Sequence, residues 1–171
     1  KAAGVSNYSA AQMREAHAAL AKRGVPLASN QVEYSLLRRQ PEVDGVLEAC
    51  RELGVTLIAY SPMAGGMLTG KYSAQRRAGG FFRRFLPQYS AKALTAAEPV
   101  LQLLRAIGEK YGKTPGQVAV RWLMENPLVL PIPGAKNGKQ AADNAAVLTF
   151  SLTPAEVDML EHASRPWQRP R

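Results

Sequence analysis

Four short apolar runs, each followed by a helix-type pattern, constrain the fold of this 171-residue chain most. Ala2 to Val5, Leu27 to Val32, Val55 to Ala59 and Leu128 to Leu130 read as strands. Between them, apolar residues recur three and four positions apart, the spacing of one helix face. Strands that alternate with helices pair in parallel, with the helices packed outside the sheet. Four such units make either a small doubly wound domain or half of an eight-stranded barrel.

The punctuation between the runs is specific. Ser9 to Gln12 and Thr153 to Glu156 have capping-box spacing, and Thr114-Pro115 reads as an N-cap followed by proline at the first helical position. Met13, Ala16 and Leu20 share one helix face, with Gly24 expected at its C′ position. Val43, Val46, Leu47 and Cys50 form a second stripe that Gly54 ends. Pro99 is expected in the first turn of a helix that buries Val100, Leu103, Leu104 and Ile107. The next helix is expected to bury Val118, Ala119 and Trp122. Residues 1–164 read as one domain, and 165–171 as an extended Pro- and Arg-rich tail.

Apolar residues make up 46% of the chain, enough for a core, and no apolar run is long enough to span a bilayer. The single Cys50 rules out an internal disulfide framework. His17 and His162 stand in no metal-ligand spacing and read as surface residues. A net charge of +9 favours anionic partners such as nucleotides. Lys1 to Asn7 looks like the end of a strand entered without its start, so the chain is expected to be part of a longer one.

The stretch from Pro131 to Asn144 leaves the fourth strand, turns on Gly134 and Gly138, and enters a short helix for which Asn137 is the N-cap candidate. Lys136 and Lys139 flank the turn. Free amides at a helix start, beside positive charge, suit a bound phosphate. The same connection also serves a strand and helix that bind nothing. From Ala64 to about Thr95 the chain reads as irregular and has no acidic residue. Phe81, Phe82 and Phe85 alternate there with Arg83 and Arg84. Stacking on nucleic-acid bases is one reading of that pattern, but no nucleic-acid module motif accompanies it. The other reading is a loop at the site with solvated charges. Ser6, Asn7, Gln31, Tyr60, Ser61 and the residues from Gly134 to Asn144 all fall near the C-terminal ends of strands, where parallel α/β folds place their sites. Asn and Gln side chains can hold an amide through a donor and an acceptor together, and Tyr60 offers a flat face.

Gly4-Val-Ser-Asn7, Ser29-Asn-Gln-Val-Glu-Tyr34, Ala59-Tyr-Ser-Pro-Met-Ala-Gly-Gly-Met-Leu-Thr-Gly-Lys71, Lys113-Thr-Pro-Gly-Gln-Val-Ala119 and Pro131-Ile-Pro-Gly-Ala-Lys-Asn137 together resemble the aldo-keto reductase superfamily, in that family's order. The chain is most similar to the plastid-type reductases of plants and algae. The resemblance implies an α/β TIM barrel, with this chain covering about strands 5–8 plus extra C-terminal helices, and NADP(H)-dependent reduction of a small aldehyde or ketone. It implies that Ser6, Asn7 and Gln31 hold the nicotinamide carboxamide and that Tyr60 stacks under the ring. Ser61, Pro62, Met63, Gly65 and Lys71 match the belt along the pyrophosphate. Gly134, Lys136, Gln140, Asp143 and Asn144 match the adenosine end, with Lys136 nearest the 2′-phosphate and Lys139 in reserve. Gln140 stands where many members carry Arg.

The family's catalytic Asp, Tyr, Lys and His lie in the first half of the barrel, and no residue here matches them, so no catalytic residue is assigned. The expected partner is the N-terminal half of the barrel, or another chain that covers the open edges. The resemblance implies a chloroplast location, with the cytoplasm as alternative. It also leaves a second function open, since some relatives act as channel-associated subunits: a non-catalytic half-barrel that binds nucleotide or joins an assembly.

Overall fold

In the computed structural model, which describes residues 1–73 and 86–170, the four runs form one parallel sheet. Its strands are β1 (Ala3–Ser6), β2 (Leu27–Glu33), β3 (Thr56–Tyr60) and β4 (Val129–Pro131), in the order β1-β2-β3-β4. The Arg- and Phe-rich positions Arg76, Arg77, Phe81, Phe82, Arg83, Arg84 and Phe85 lie outside the described residues. The helices are α1 (Ala10–Ala21), α2 (Val46–Leu53), α3 (Ala91–Tyr111), α4 (Pro115–Met124), α5 (Gly138–Ala145) and α6 (Pro154–Ser164). No helix among the described residues is long and apolar enough to cross a membrane.

Side chains alternate across the sheet, so its two faces differ. Val32, Leu57, Ala59 and Val129 point into the helix-packed core, where Leu94, Leu101, Leu104 and Leu123 are almost wholly buried. On the other face, Ser6, Gln31, Ile58 and Leu130 stand at one register across all four strands. Leu130 is 52% exposed, so nothing among the described residues covers that face.

Local signals fix most helix starts. Ser9, Thr114 and Thr153 each cap through a full capping box, and Asn137 accepts from the Gln140 amide. Gly54 and Gly112 end α2 and α3 in the left-handed region. Gly24 is also left-handed, but it stands two residues beyond the α1 cap Lys22 rather than one.

Four expectations need correction. Pro99 lies inside α3, which starts at Ala91 under a Ser90 cap, so the irregular stretch ends before Thr95. The interior proline costs one helical hydrogen bond. The Ala-rich turn before it and the burial of Leu94 and Ala97 outweigh that loss. Within the same stretch, Ala64–Thr69 and Pro87–Tyr89 form 3-10 turns. Val43 does not join the α2 stripe: it ends the 3-10 turn Gln40–Glu42 and is 41% exposed. The tail is not extended at its start, because Arg165–Trp167 is a 3-10 turn with Trp167 packed against the core.

Candidate functional site

At the C-terminal end of β1, the Ser6 hydroxyl and the Asn7 amide both donate to the Gln31 carbonyl, at 3.0 and 2.9 Å. The Asn7 Nδ2 donates to Ser6 Oγ at 3.4 Å, and the Tyr60 hydroxyl donates to Asn7 Oδ1 at 3.3 Å. Four predicted residues from three strand ends therefore meet on one rim. The Gln31 side-chain amide makes no hydrogen bond among the described residues, so its donor and acceptor both remain available on the uncovered face. Asn7 holds φ at +58, a conformation that side chains other than glycine rarely adopt. A buried neighbour keeps it there. Asn30 donates to the Tyr8 carbonyl at 3.0 Å and accepts from the Tyr8 amide at 3.3 Å, locking the backbone that follows Asn7. Sequence reasoning passed over Asn30, although a polar residue at the core-facing parity of an apolar strand was the available signal.

The belt after β3 is bent by five left-handed positions, Ser61, Ala64, Gly65, Gly66 and Gly70. The Tyr89 hydroxyl donates to the Gly65 carbonyl at 2.8 Å. A Cβ at Gly65 would stand 2.6 Å from that hydroxyl, so glycine is needed both for φ and for space. Two non-glycine residues in this region mark stored strain, of the kind that clusters at ligand-binding loops.

The belt and the Pro131–Asn144 stretch face each other across a cleft of about 300 Å³. Met63 and Lys71 line one side, and Gly134, Gln140, Asp143 and Asn144 the other. Gly116 and Gln117, at the start of α4, also line it. Gln117 was not singled out by sequence reasoning, yet its Nε2 donates to the Asp143 carbonyl at 2.7 Å and ties α5 to α4. Its signal was the spacing of Thr114 and Gln117, a third capping box. Asn144 donates to the Pro133 carbonyl at 3.2 Å, and Gln140 accepts from the Lys136 amide at 2.8 Å, so both fix the loop that carries Gly134. Asp143 pairs with Lys139 at 3.1 Å on the surface. The ammonium groups of Lys71 and Lys136 have no partner among the described residues, and that of Lys71 leaves positive charge free at the cleft.

Not every predicted site residue shares that cleft. Pro62 is buried beneath the belt, and Lys136 is exposed outside the cleft lining. Ser61 and Gly65 line a separate cavity of about 420 Å³, together with Leu37, Met67 and Trp167. Tyr34 and Tyr111 have other partners. Burial, then the adjacent Glu42 carboxylate, pushes the Tyr34 hydroxyl far above its ordinary range. Tyr111 donates to Glu156 at 2.9 Å. Neither His17 nor His162 lines the cleft.

A family model described as the aldo/keto reductase family matches residues 1–165. A chloroplastic pyridoxal reductase of Arabidopsis thaliana is 42% identical over 169 residues, which cover 96% of this chain and 44% of that protein. An aldo-keto reductase of Schizosaccharomyces pombe, whose name carries NADP(+), is 34% identical and is matched over 94% of this chain and 47% of its own length. A thermostable aldo-keto reductase crystallised with the inhibitor epalrestat superposes with a TM-score of 0.68 at 29% identity, over 94% of this chain and 47% of that one. The chain spans about half the length of the curated relatives it matches.

Proposed function

The chain belongs to the aldo/keto reductase family, and from that premise we propose that it supplies the cofactor-binding half of an NADP(H)-dependent oxidoreductase acting on a small aldehyde or ketone. On this reading β1 to β4 are strands 5–8 of an eight-stranded barrel, and the N-terminal half covers the open sheet face. The observation that carries the reading is the cleft in which Met63 and Lys71 face Gly134, Gln140, Asp143 and Asn144, beside the Ser6, Asn7, Gln31 and Tyr60 cluster.

The donor set fits a nicotinamide dinucleotide. The free Gln31 amide matches a carboxamide in both directions, and Ser6 and Asn7 are held next to it. Tyr60 stands on the same rim and presents its ring face to a flat heterocycle. Lys71, with the backbone of the bent belt, suits a pyrophosphate, and the capped start of α5 with Lys136 suits the phosphate at the adenosine end. Bound there, the cofactor supplies the hydride that reduces a carbonyl carbon to an alcohol. The proton for the carbonyl oxygen comes from a donor in the upstream half. The Arabidopsis relative named as chloroplastic supports a plastid location.

The test is a fluorescence titration of NADPH, with NADH in parallel and Tyr60→Ala as control. Tight NADPH binding that weakens at least tenfold in the variant is the expected result. A folded chain that ignores NADPH refutes the reading. The exposed Leu130 and Ile132, on the uncovered sheet, favour a second reading: a non-catalytic subunit that pairs with another chain through this face. A native chain mass near 18.5 kDa would favour that second reading, and a mass near twice this value the first.

A further inference from the structure

Among the described residues, three helices begin with a full capping box, closed by Gln12, Gln117 and Glu156. Either side chain can accept from the N-cap amide, so capping alone does not choose between them. The positive end of a helix favours the carboxylate. Around Glu156 the neighbours are donors: Lys110, Tyr111 and the Thr153 amide all donate to its carboxylate. Gln12 is exposed, where water serves either group.

Gln117 is buried, and its neighbours ask for something else. Its Oε1 accepts from the Thr114 amide at 2.8 Å and the Thr114 hydroxyl at 3.1 Å, which closes the cap. Its Nε2 is then left to donate to the Asp143 carbonyl at 2.7 Å. A carboxylate would close the same cap but set its second oxygen against that carbonyl. What the bond holds has little else to hold it. No residue of α5 is buried, so apolar packing fixes this helix weakly. Asp143 lies in its last turn, where helix carbonyls are left for donors outside the helix. The next residue, Asn144, carries the Gly134 loop through its bond to the Pro133 carbonyl. One side-chain amide on α4 thus holds α5 and, through it, that side of the cleft.

Resting on the reading of the cleft as a cofactor site, we propose that Gln117 is the positioning residue of its adenosine end, holding α5 where Asp143, Asn144 and Gly134 line the cleft, and that a donor is required there. Gln117→Glu is the discriminating change, because it keeps the shape and the cap. Burial and the facing carbonyl both disfavour its charged form, so the introduced carboxyl holds its proton above the ordinary carboxylate range. Protonated, it donates to Asp143 as glutamine does; ionised, it repels that carbonyl. The charged groups lining the cleft with it are Lys71 from the belt and Asp143, which pairs with Lys139. Lys113, beside the cap, donates to Thr149. Wild type and variant share all of these, so comparison at each pH isolates the introduced carboxyl.

Titrations of NADP+ and of 2′,5′-ADP, which lacks the nicotinamide, against the 171-residue chain at pH 5 and pH 8 test this. Gln117→Glu is expected to bind both about tenfold more weakly than wild type at pH 8 and within about threefold of it at pH 5. Gln117→Met, which can neither cap nor donate, is expected to lose about tenfold at both pH values. Wild-type affinity in Gln117→Glu at pH 8 overturns the proposal. An equal loss at both pH values would make Gln117 merely structural and overturn its positioning role, as would a loss for NADP+ that 2′,5′-ADP does not share. Hydrogen exchange of the α5 amides reads the anchor without ligand, and exchange no faster in Gln117→Glu than in wild type at pH 8 also overturns the proposal. Faster exchange there, with a wild type that binds neither nucleotide, would sink the cofactor reading and support the anchoring of α5.

Discussion

Glu156 on α6 ties that helix to the end of α3, and acid should uncouple them. Its carboxylate is 5% exposed as a residue and accepts from Lys110 at 2.7 Å, Tyr111 at 2.9 Å and the Thr153 amide at 2.8 Å. Burial by itself would raise its pKa, but these donors together outweigh burial and hold it at about 2, against an ordinary value of 4.5. Taken at face value, at about 1.4 kcal/mol per pH unit, that displacement is worth about 3 kcal/mol. Lys110 is 56% exposed, so solvent screening reduces the figure to about 1–2 kcal/mol. Because the folded value lies below the unfolded one, the contribution is complete above pH 4.5 and disappears as pH falls toward 2. Urea unfolding of wild type and Glu156→Gln at pH 6 and pH 2.5 measures it. The wild-type advantage should shrink by about 1–2 kcal/mol at the lower pH. An equal difference at both pH values would refute the assignment of the acid sensitivity to this carboxylate.

Three further outcomes follow from the geometry. A Cβ at Gly108 would clash with the Lys113 carbonyl oxygen, so Gly108→Ala should destabilise the chain by about 1–3 kcal/mol despite the better helix propensity of alanine, read as a lower urea midpoint. Gly116 lines the cleft and its Cβ would stand 3.2 Å from Met63 Sδ, so Gly116→Val should weaken NADPH binding at least tenfold in titration, with a near-native circular dichroism spectrum. Burial pushes the Cys50 thiol up to about 11, so it should react with an aromatic disulfide reagent only when urea opens the chain.

The capping signals were legible because they are local. Ser9, Thr114, Asn137 and Thr153 each act on an amide three residues away, and the structure uses all four. The parallel sheet was legible for the same reason, since each apolar run declares its own element and the alternation leaves one class of topology. Pro99 misled because proline favours first turns, and the burial that overrides this preference comes from other elements.

The rim shows where local information ends. Ser6, Asn7, Gln31 and Tyr60 could be nominated from strand ends, but only the register of three strands brings them together. Ser61 and Gly65 are neighbours of Met63 in sequence, yet the left-handed bends at Ser61, Ala64 and Gly65 turn them toward a different cavity. Arg39 reads as one more basic residue in a basic chain. Its partners Glu161 and Ser164 lie 122 and 125 positions away, and its bonds to them exist only because α6 returns to the loop after β2. The sequence by itself determined where the strands and the capped helices α1, α4, α5 and α6 begin and which residue types reach the strand ends, because those choices depend on spacing within a turn. Which side chains share a cleft, and which buried charge anchors the tail, was decided by the tertiary structure, because packing brings together groups that no local pattern relates.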